Sequence, residues 1–184
     1  MLQSQTGYRI AALLLVASCA LQLISSAAPQ SDETAVTEDN WSENPFAAPS
    51  TLPFEAPDFT RIRVEHYLPA FQKGIAEQLE EIKVIASQDA EPTFENTVEA
   101  FEKTGALLTR VEQVFYNMTG SHTNPDIQNI QVEMAPLLAA HSDNIQLNRA
   151  LFARFEILSQ NRDSLGLTGE QQEVLRRHYE NFVR

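Results

Sequence analysis

The sequence predicts an all-α protein, an antiparallel bundle of about five amphipathic helices, on three observations. From about residue 60 onwards, apolar side chains recur at steps of three and four, the period of an α-helix with one buried face. Residue types that favour helix starts precede most of these periodic stretches. No run of alternating apolar and polar residues between turn signals predicts a strand.

Composition limits the classes of partner. The chain has 184 residues and a formal net charge of −12. Because a protein that binds nucleic acid must neutralise phosphates with Lys and Arg, this charge argues against a nucleic-acid partner. It argues equally against adsorption to anionic lipid. The single cysteine, Cys19, excludes a disulfide framework within the chain and structural zinc sites that need two or more cysteines.

Residues 1–28 have the pattern of a targeting segment. Arg9 supplies a positive start, and residues 10–24 are nearly all apolar, a stretch too short and too rich in serine to predict a membrane span. Cys19 follows small residues at 16–18, which resembles the lipobox of bacterial lipoproteins, in which the cysteine receives a lipid. A single lipid chain on Cys19 would anchor the protein weakly to a membrane.

The mostly apolar residues 21–24 depart from the lipobox pattern, because lipoproteins usually turn polar after the cysteine. The alternative is an ordinary signal peptide that is cleaved near residues 25–27. Both interpretations place the protein outside the cytoplasm of a bacterium, in the periplasm or at a membrane. Residues 29–44 are polar and acidic, so we expect a disordered tether between this leader and a folded region of residues 45–184.

The first two helices are predicted by their apolar stripes. The first stripe consists of Val64, Leu68, Phe71, Ile75, Leu79, Ile82 and Ile85. The second follows Thr93, a predicted N-cap, and consists of Phe94, Val98, Phe101, Gly105, Leu108, Phe115 and Met118. This second spacing predicts one long helix, and Gly105 within it predicts a close crossing with another helix.

Three further helices have start signals of their own. The third begins after Asn124 and contains Pro136, which predicts a kink. Asn148 caps a short fourth helix, and the Thr-Gly-Glu-Gln capping box at Thr168 opens a fifth. The fifth helix still follows the apolar period at Arg184 without a residue that closes it, so we expect the sequence to be part of a longer chain.

We find no motif of a complete catalytic site. A zinc hydrolase built on helices commonly uses two histidines four residues apart, with a glutamate directly after the first. The histidines of this chain are His66, His122, His141 and His178, and none is followed by Glu. No Gly-x-Ser-x-Gly elbow or glycine-rich phosphate loop occurs. We therefore predict no catalytic residue and no metal ligand in this chain, and one candidate modification site, lipidation of Cys19.

Two features have both a functional and a structural interpretation. His141 lies on the apolar face of the third helix, where it could be a ligand or a proton donor. A core histidine hydrogen-bonded to a neighbour is the favoured interpretation, since structural networks often imitate sites. Glu77 and Glu81 could form a carboxylate pair, but we expect an exposed charged face instead.

Six stretches together carry a family resemblance. They are Asn44-Pro45-Phe46 with Ser50-Thr51-Leu52-Pro53-Phe54, His66-Tyr67-Leu68-Pro69-Ala70-Phe71, Pro92-Thr93-Phe94-Glu95-Asn96-Thr97, Gly105-Ala106-Leu107-Leu108, Ala139-Ala140-His141-Ser142-Asp143 and Leu151-Phe152-Ala153-Arg154. In this order they resemble the N-terminal region of the thimet oligopeptidase family of zinc metallopeptidases, and within it the peptidyl-dipeptidase, or dipeptidyl carboxypeptidase, branch. The resemblance extends from about Asn44 to Arg184.

The resemblance implies a larger all-helical enzyme, in which two lobes enclose a channel. It implies a zinc ion held by an HExxH helix and a later glutamate, and release of dipeptides from the C-termini of short peptides. The N-terminal helices would form part of the lobe that covers the channel. None of the family's zinc-binding or catalytic residues matches a position here, so we expect the chain alone to bind no zinc and to have no activity. We also expect it to be a monomer.

Two hypotheses therefore remain for the function. The first is the front lobe of an exported zinc peptidase that acts on short peptides. The second is a stand-alone helical binding module, anchored by lipid, that shares the fold without the enzyme. The absence of a closing residue at the fifth helix favours the first.

Overall fold

The computed structural model describes residues 38–184. The helices are α1 (Tyr67–Ser87), α2 (Ala100–Glu102), α3 (Ala106–Ser121), α4 (Pro125–Gln146), α5 (Arg149–Gln160) and α6 (Gly169–Val183). Short 3-10 turns occupy Glu38–Glu43, Pro53–Glu55, Val64–His66 and Arg162–Ser164, and a π turn occupies Phe94–Glu99. No strand occurs in this part of the chain, and the all-α prediction is confirmed.

The predicted helix starts are present. Asn124 and Asn148 each accept a hydrogen bond at 3.0 Å from the backbone N–H three residues on. Thr168 forms its capping box with Gln171, whose side chain accepts from the Thr168 N–H at 2.9 Å. These bonds satisfy N–H groups that have no partner within the helix. Pro136 lies inside α4, as expected from the sequence, and the kink at this residue stays a prediction.

The prediction of one continuous second helix is wrong. The chain forms the π turn Phe94–Glu99 and the short α2, and then breaks at Gly105, whose φ of +71° lies in the left-handed region. Glycine adopts this conformation without steric cost and commonly follows the end of a helix. The apolar period continues across the break, although the two pieces pack into different hydrophobic clusters: Phe94 and Val98 into one, and the apolar residues of α3 into the other.

Gly105 does lie close to α1, since a Cβ atom added there would overlap the side chain of Gln78, but it does so at the break before α3 and not within a helix. Its N–H donates to Glu81 Oε2 at 2.8 Å, so Glu81 satisfies the backbone where α3 begins. Glu81 is therefore more than part of an exposed charged face. Its neighbours Glu80 and Lys83 do form an exposed ion pair, with the Lys83 Nζ at 3.0 Å from Glu80 Oε2.

A crossing of two helix backbones lies at Gly74. A Cβ atom added at Gly74 would lie 2.9 Å from both the Cα and the N of Leu108. These are backbone atoms of α3, which cannot move aside as a flexible side chain would. The absence of a side chain at Gly74 therefore allows α1 and α3 to pack backbone against backbone.

The interior consists of two hydrophobic clusters. The first contains Phe46, Tyr67, Ala70, Phe71, Leu107, Leu108, Val111, Val114, Phe115, Ile127, Ile130 and Met134. The second contains Ile82, Ile85, Phe94, Val98, Leu151, Phe155, Leu158 and Leu175. The N-terminal half of α1 belongs to the first cluster and its C-terminal end to the second, so α1 connects the two.

The folded region includes the last part of the predicted tether. Residues Glu38–Glu43 form a 3-10 turn, and Asn44 is buried. The Asn44 Nδ2 donates to the carbonyl of His66 at 3.0 Å, and Trp41 packs against the first cluster. Side chains distant in sequence thus hold residues that composition alone assigns to a disordered segment.

The leader of residues 1–28, with Cys19, and the tether up to residue 37 lie outside the described residues, and the predictions for them stay predictions. Among residues 38–184, no helix is both long enough and apolar enough to cross a bilayer.

The crossing at Gly74 yields a test. We expect Gly74→Ala to lower the free energy of unfolding by about 1–3 kcal/mol, because the added methyl group forces the α1 and α3 backbones apart. Urea denaturation of the purified chain measures this value. Gly120→Ala is the matched control: nothing lies within 4 Å of a Cβ there, and alanine should raise the stability of α3 by up to about 1 kcal/mol. Equal effects of the two substitutions would contradict the crossing.

Candidate functional site

His141 belongs to a polar network between α4, α1 and the turn that precedes α3. The His141 Nε2 lies 2.7 Å from Gln78 Oε1, and Gln78 Nε2 donates to Thr104 Oγ1 at 3.2 Å. Because an amide oxygen only accepts, Nε2 must carry the proton. Burial lowers the pKa of His141, so the ring is neutral near pH 7.

These contacts give His141 a structural role. Its one protein partner is an amide, and its buried Nδ1 contacts no hydrogen-bonding group among residues 38–184. An amide oxygen is too weak a base to remove a proton from the imidazole, and it carries no negative charge to pair with a protonated ring. The network joins α4, α1 and the turn before α3, which agrees with a core histidine hydrogen-bonded to a neighbour.

Arg154 on α5 forms a second network, with the segment between α1 and α2. Its Nη2 donates to Asn96 Oδ1 at 2.8 Å and its Nε to Thr97 Oγ1 at 3.2 Å. Its Nη1 donates to the carbonyls of Ala90 at 3.0 Å and Gln88 at 3.3 Å. Burial lowers the pKa of Arg154, but a guanidinium stays charged in proteins. One buried cation thus fixes an otherwise irregular segment onto α5.

His178 on α6 lies between aromatic rings and a carboxylate. Its ring stands edge-on to Phe101, with centroids 5.1 Å apart, and lies 5.6 Å from the ring of Phe155. Its Nε2 forms a hydrogen bond with the Glu102 carboxylate, which connects α6 to α2. Sequence reasoning missed this contact, because Glu102 and His178 lie 76 positions apart in the chain.

The histidines of this chain do not fit a zinc site. The Nδ1 of His66 accepts the backbone N–H of Arg63 at 3.0 Å, and His122 ends α3. His141 and His178 are held in the separate networks described above. Across residues 38–184, no three His, Cys, Asp or Glu side chains lie together in a way that could hold a metal ion.

Two concavities flank the segment that precedes α1. A cavity of about 310 Å³ lies between residues 42–62 and α3. An open groove of about 900 Å³ lies between residues 49–59 and the α2–α3 region. Arg110 lines both, and its Nη2 donates to the Phe46 carbonyl at 2.8 Å. Sequence reasoning missed both concavities, since their walls come from segments about 50 residues apart.

Four of the six stretches that the sequence analysis singled out contact one another in pairs. Arg154 of the last stretch bonds Asn96 and Thr97 of another. Asn44 of the first bonds His66 of the next. These residues therefore hold the helices in place, and no nucleophile or general base is assembled from them.

Comparison with known proteins gives a consistent group of relatives. The chain is 44% identical over 142 residues to a dipeptidyl carboxypeptidase of Salmonella typhimurium and 42% identical over 140 residues to that of Escherichia coli. It is 24% identical over 110 residues to oligopeptidase A of Escherichia coli. The matches cover 77%, 76% and 60% of this chain respectively. No protein-family model matches.

The matched region is a small part of each relative. It spans 21% of both dipeptidyl carboxypeptidases and 16% of oligopeptidase A. The names of these relatives agree with the family resemblance found in the sequence.

The Arg154 network predicts a large loss of stability on substitution. We expect Arg154→Met to lower the free energy of unfolding by about 2–4 kcal/mol, because buried carbonyl and amide oxygens lose their donors. Arg154→Lys should recover only part of this loss, since an ammonium cannot reproduce the guanidinium fork. The exposed Arg149 on the same helix offers a control, and Arg149→Met should be nearly neutral. Denaturant melts of the three variants decide whether the network holds α5.

Burial of His141 predicts a pH dependence. In the unfolded chain this histidine takes up a proton as the pH falls through its ordinary pKa of 6.5. In the folded chain burial lowers that pKa, so the ring stays neutral to a lower pH. Stability contributed by the neutral ring is thus present above pH 6.5 and lost as the pH falls. We expect His141→Gln to reduce the loss of unfolding free energy between pH 7.5 and pH 5.5, measured with urea. An identical loss in both proteins would contradict the burial of a neutral ring.

Proposed function

Because the chain is homologous to part of the dipeptidyl carboxypeptidases of the thimet oligopeptidase family, we propose that it is a non-catalytic helical portion of a zinc-dependent peptidase. The full enzyme would release dipeptides from the C-termini of short peptides. The identity of 44% over 142 residues to a named dipeptidyl carboxypeptidase carries this proposal. The weaker match to oligopeptidase A supports the same group of enzymes.

The proposal assigns the chemistry to residues that this chain does not contain. The family resemblance implies zinc ligands in an HExxH motif, and none of the histidines here is followed by Glu. Zinc would supply a Lewis acid and an activated water there. The residues of this chain would instead form a rigid wall, held by the Arg154 and His141 networks and by the two hydrophobic clusters.

A rigid wall suits a peptidase that selects short peptides. Such selection depends on a passage with fixed dimensions, and α1, α3 and α4 are packed around one core. The Arg154 network fixes the irregular segment between α1 and α2 onto α5. The His141 network connects α4 to α1. We propose that this portion excludes folded proteins by its shape and contributes no reacting group.

The proposed location is outside the cytoplasm, in the periplasm or at a membrane. The support is the leader pattern of residues 1–28, with Cys19 as the proposed lipid attachment site. Mass spectrometry of the protein from bacterial membranes would test it: a mature chain that begins at a diacylated Cys19 supports the lipoprotein, and one that begins near residue 28 supports a cleaved signal peptide.

The proposed function yields a direct assay. We expect the purified chain to release no dipeptide from a short peptide above the background of a blank, with or without added zinc, because it lacks the metal-binding motif. A chimera should restore the activity: in the Escherichia coli dipeptidyl carboxypeptidase, the matched segment is replaced by the matched residues of this chain. A zinc chelator should abolish hydrolysis by the chimera.

Two outcomes would overturn the proposal. Zinc-dependent turnover by the isolated chain would place a site within it. A folded but inactive chimera would show that this chain cannot replace the matched segment of the peptidase. A cooperative, monomeric melt of the isolated chain without binding of a hydrophobic dye, together with that second outcome, would favour the stand-alone binding module.

A further inference from the structure

Residues 50–59, here called the aromatic loop, expose three large apolar side chains to solvent. Phe54 is 103% exposed, Phe59 is 50% exposed and Leu52 is 42% exposed. Single exposed apolar residues are ordinary in soluble proteins. Three of them lie within eight residues of a chain whose net charge of −12 marks a well-solvated surface, and exposed apolar side chains that cluster commonly contact another surface.

The backbone of the aromatic loop holds the Phe54 ring outward. Phe54 and Glu55 have φ values of +60° and +55°, in the left-handed region that residues other than glycine seldom adopt. The turn is closed by hydrogen bonds from the N–H of Glu55 to the carbonyl of Leu52, at 3.0 Å, and from that of Ala56 to Pro53, at 3.2 Å. Strained backbone of this kind concentrates at functional contacts.

The exposed rings continue into the open groove along α3. Phe54 and Phe59 form part of one wall, together with Pro57, whereas Thr109, Gln113 and Asn117 of α3 lie on the other. Apart from Glu55, the loop wall is apolar, whereas the other wall is mostly polar and charged and includes the apolar Ala106 and Val114. A groove of about 900 Å³ with this division fits protruding side chains of a second folded surface.

The length of the relatives indicates which surface contacts the aromatic loop and the groove. The matched region spans 21% of each dipeptidyl carboxypeptidase, so most of such a peptidase has no counterpart in this chain. A second copy of the chain is a poorer occupant, because two chains of net charge −12 repel one another. We infer that the aromatic loop and the groove along α3 form the surface that docks on the remaining part of the peptidase, an inference that rests on the proposed function.

The test compares the isolated chain with the chimera, since docking exists only in the latter. Phe54→Ser should leave the urea midpoint of the isolated chain unchanged, because the ring contacts solvent there. In the chimera the same substitution should shorten the half-life of activity at a fixed elevated temperature by about tenfold, and Phe54→Ser/Phe59→Ser should shorten it further. Val84→Ser is the control: Val84 is 69% exposed beside the Lys83–Glu80 ion pair and should be neutral in both proteins.

The outcomes separate the two proposals. An active chimera whose half-life is insensitive to both phenylalanine substitutions would overturn the docking surface and leave the proposed function standing. Equal destabilisation of the isolated chain and the chimera would also overturn it, since the rings would then support this fold alone. A folded chimera that hydrolyses no peptide would overturn the proposed function, and the docking inference with it.

Discussion

The backbone contact between α1 and α3 at Gly74 is the constraint on which the rest of this fold depends. A Cβ there would lie 2.9 Å from backbone atoms of Leu108, so the two helix backbones approach more closely than any other residue at this position would allow. This approach brings Phe71 of α1 against Phe115 of α3, with ring centroids 5.2 Å apart. It also sets the position of Gln78 and Glu81 one and two turns further along α1, where they meet the turn before α3.

Polar groups fix positions of the helices that the packing of the apolar clusters alone does not determine. Glu81 receives the N–H of Gly105, Gln78 joins Thr104 to His141, and Arg154 binds the segment between α1 and α2. Buried hydrogen bonds of this kind add modest stability, but loss of either partner leaves the other unsatisfied. They therefore specify one arrangement of the helices among the several that hydrophobic packing alone would allow.

The sequence predicts the helical class, the capped starts at Thr93, Asn124, Asn148 and Thr168, and the family resemblance. Each of these depends on neighbouring residues, which a sequence shows directly. The break at Gly105 was missed because the apolar period continues across it, although glycine after a helical stretch is a known stop signal. The backbone crossing at Gly74 was missed, since nothing in the sequence tells which helix face meets a backbone.

The networks and concavities could not be predicted for a different reason. Arg154 meets residues 57 to 66 positions earlier in the chain, and the partner of His141 lies 63 positions earlier. Such contacts follow only from the packed arrangement of the helices. The strained turn at Phe54 is likewise invisible in the sequence, because a proline before an aromatic residue gives no sign of a left-handed backbone.

The division of the interior into two clusters has a consequence for how this chain can change over evolution. The clusters share no buried residue, and α1 contributes buried residues to both. Substitutions that are well separated and have no common partner combine additively, so each cluster can be repacked without compensating changes in the other. Residues 70–85 of α1 contribute to both clusters, so a substitution in this stretch must remain compatible with the packing of each cluster.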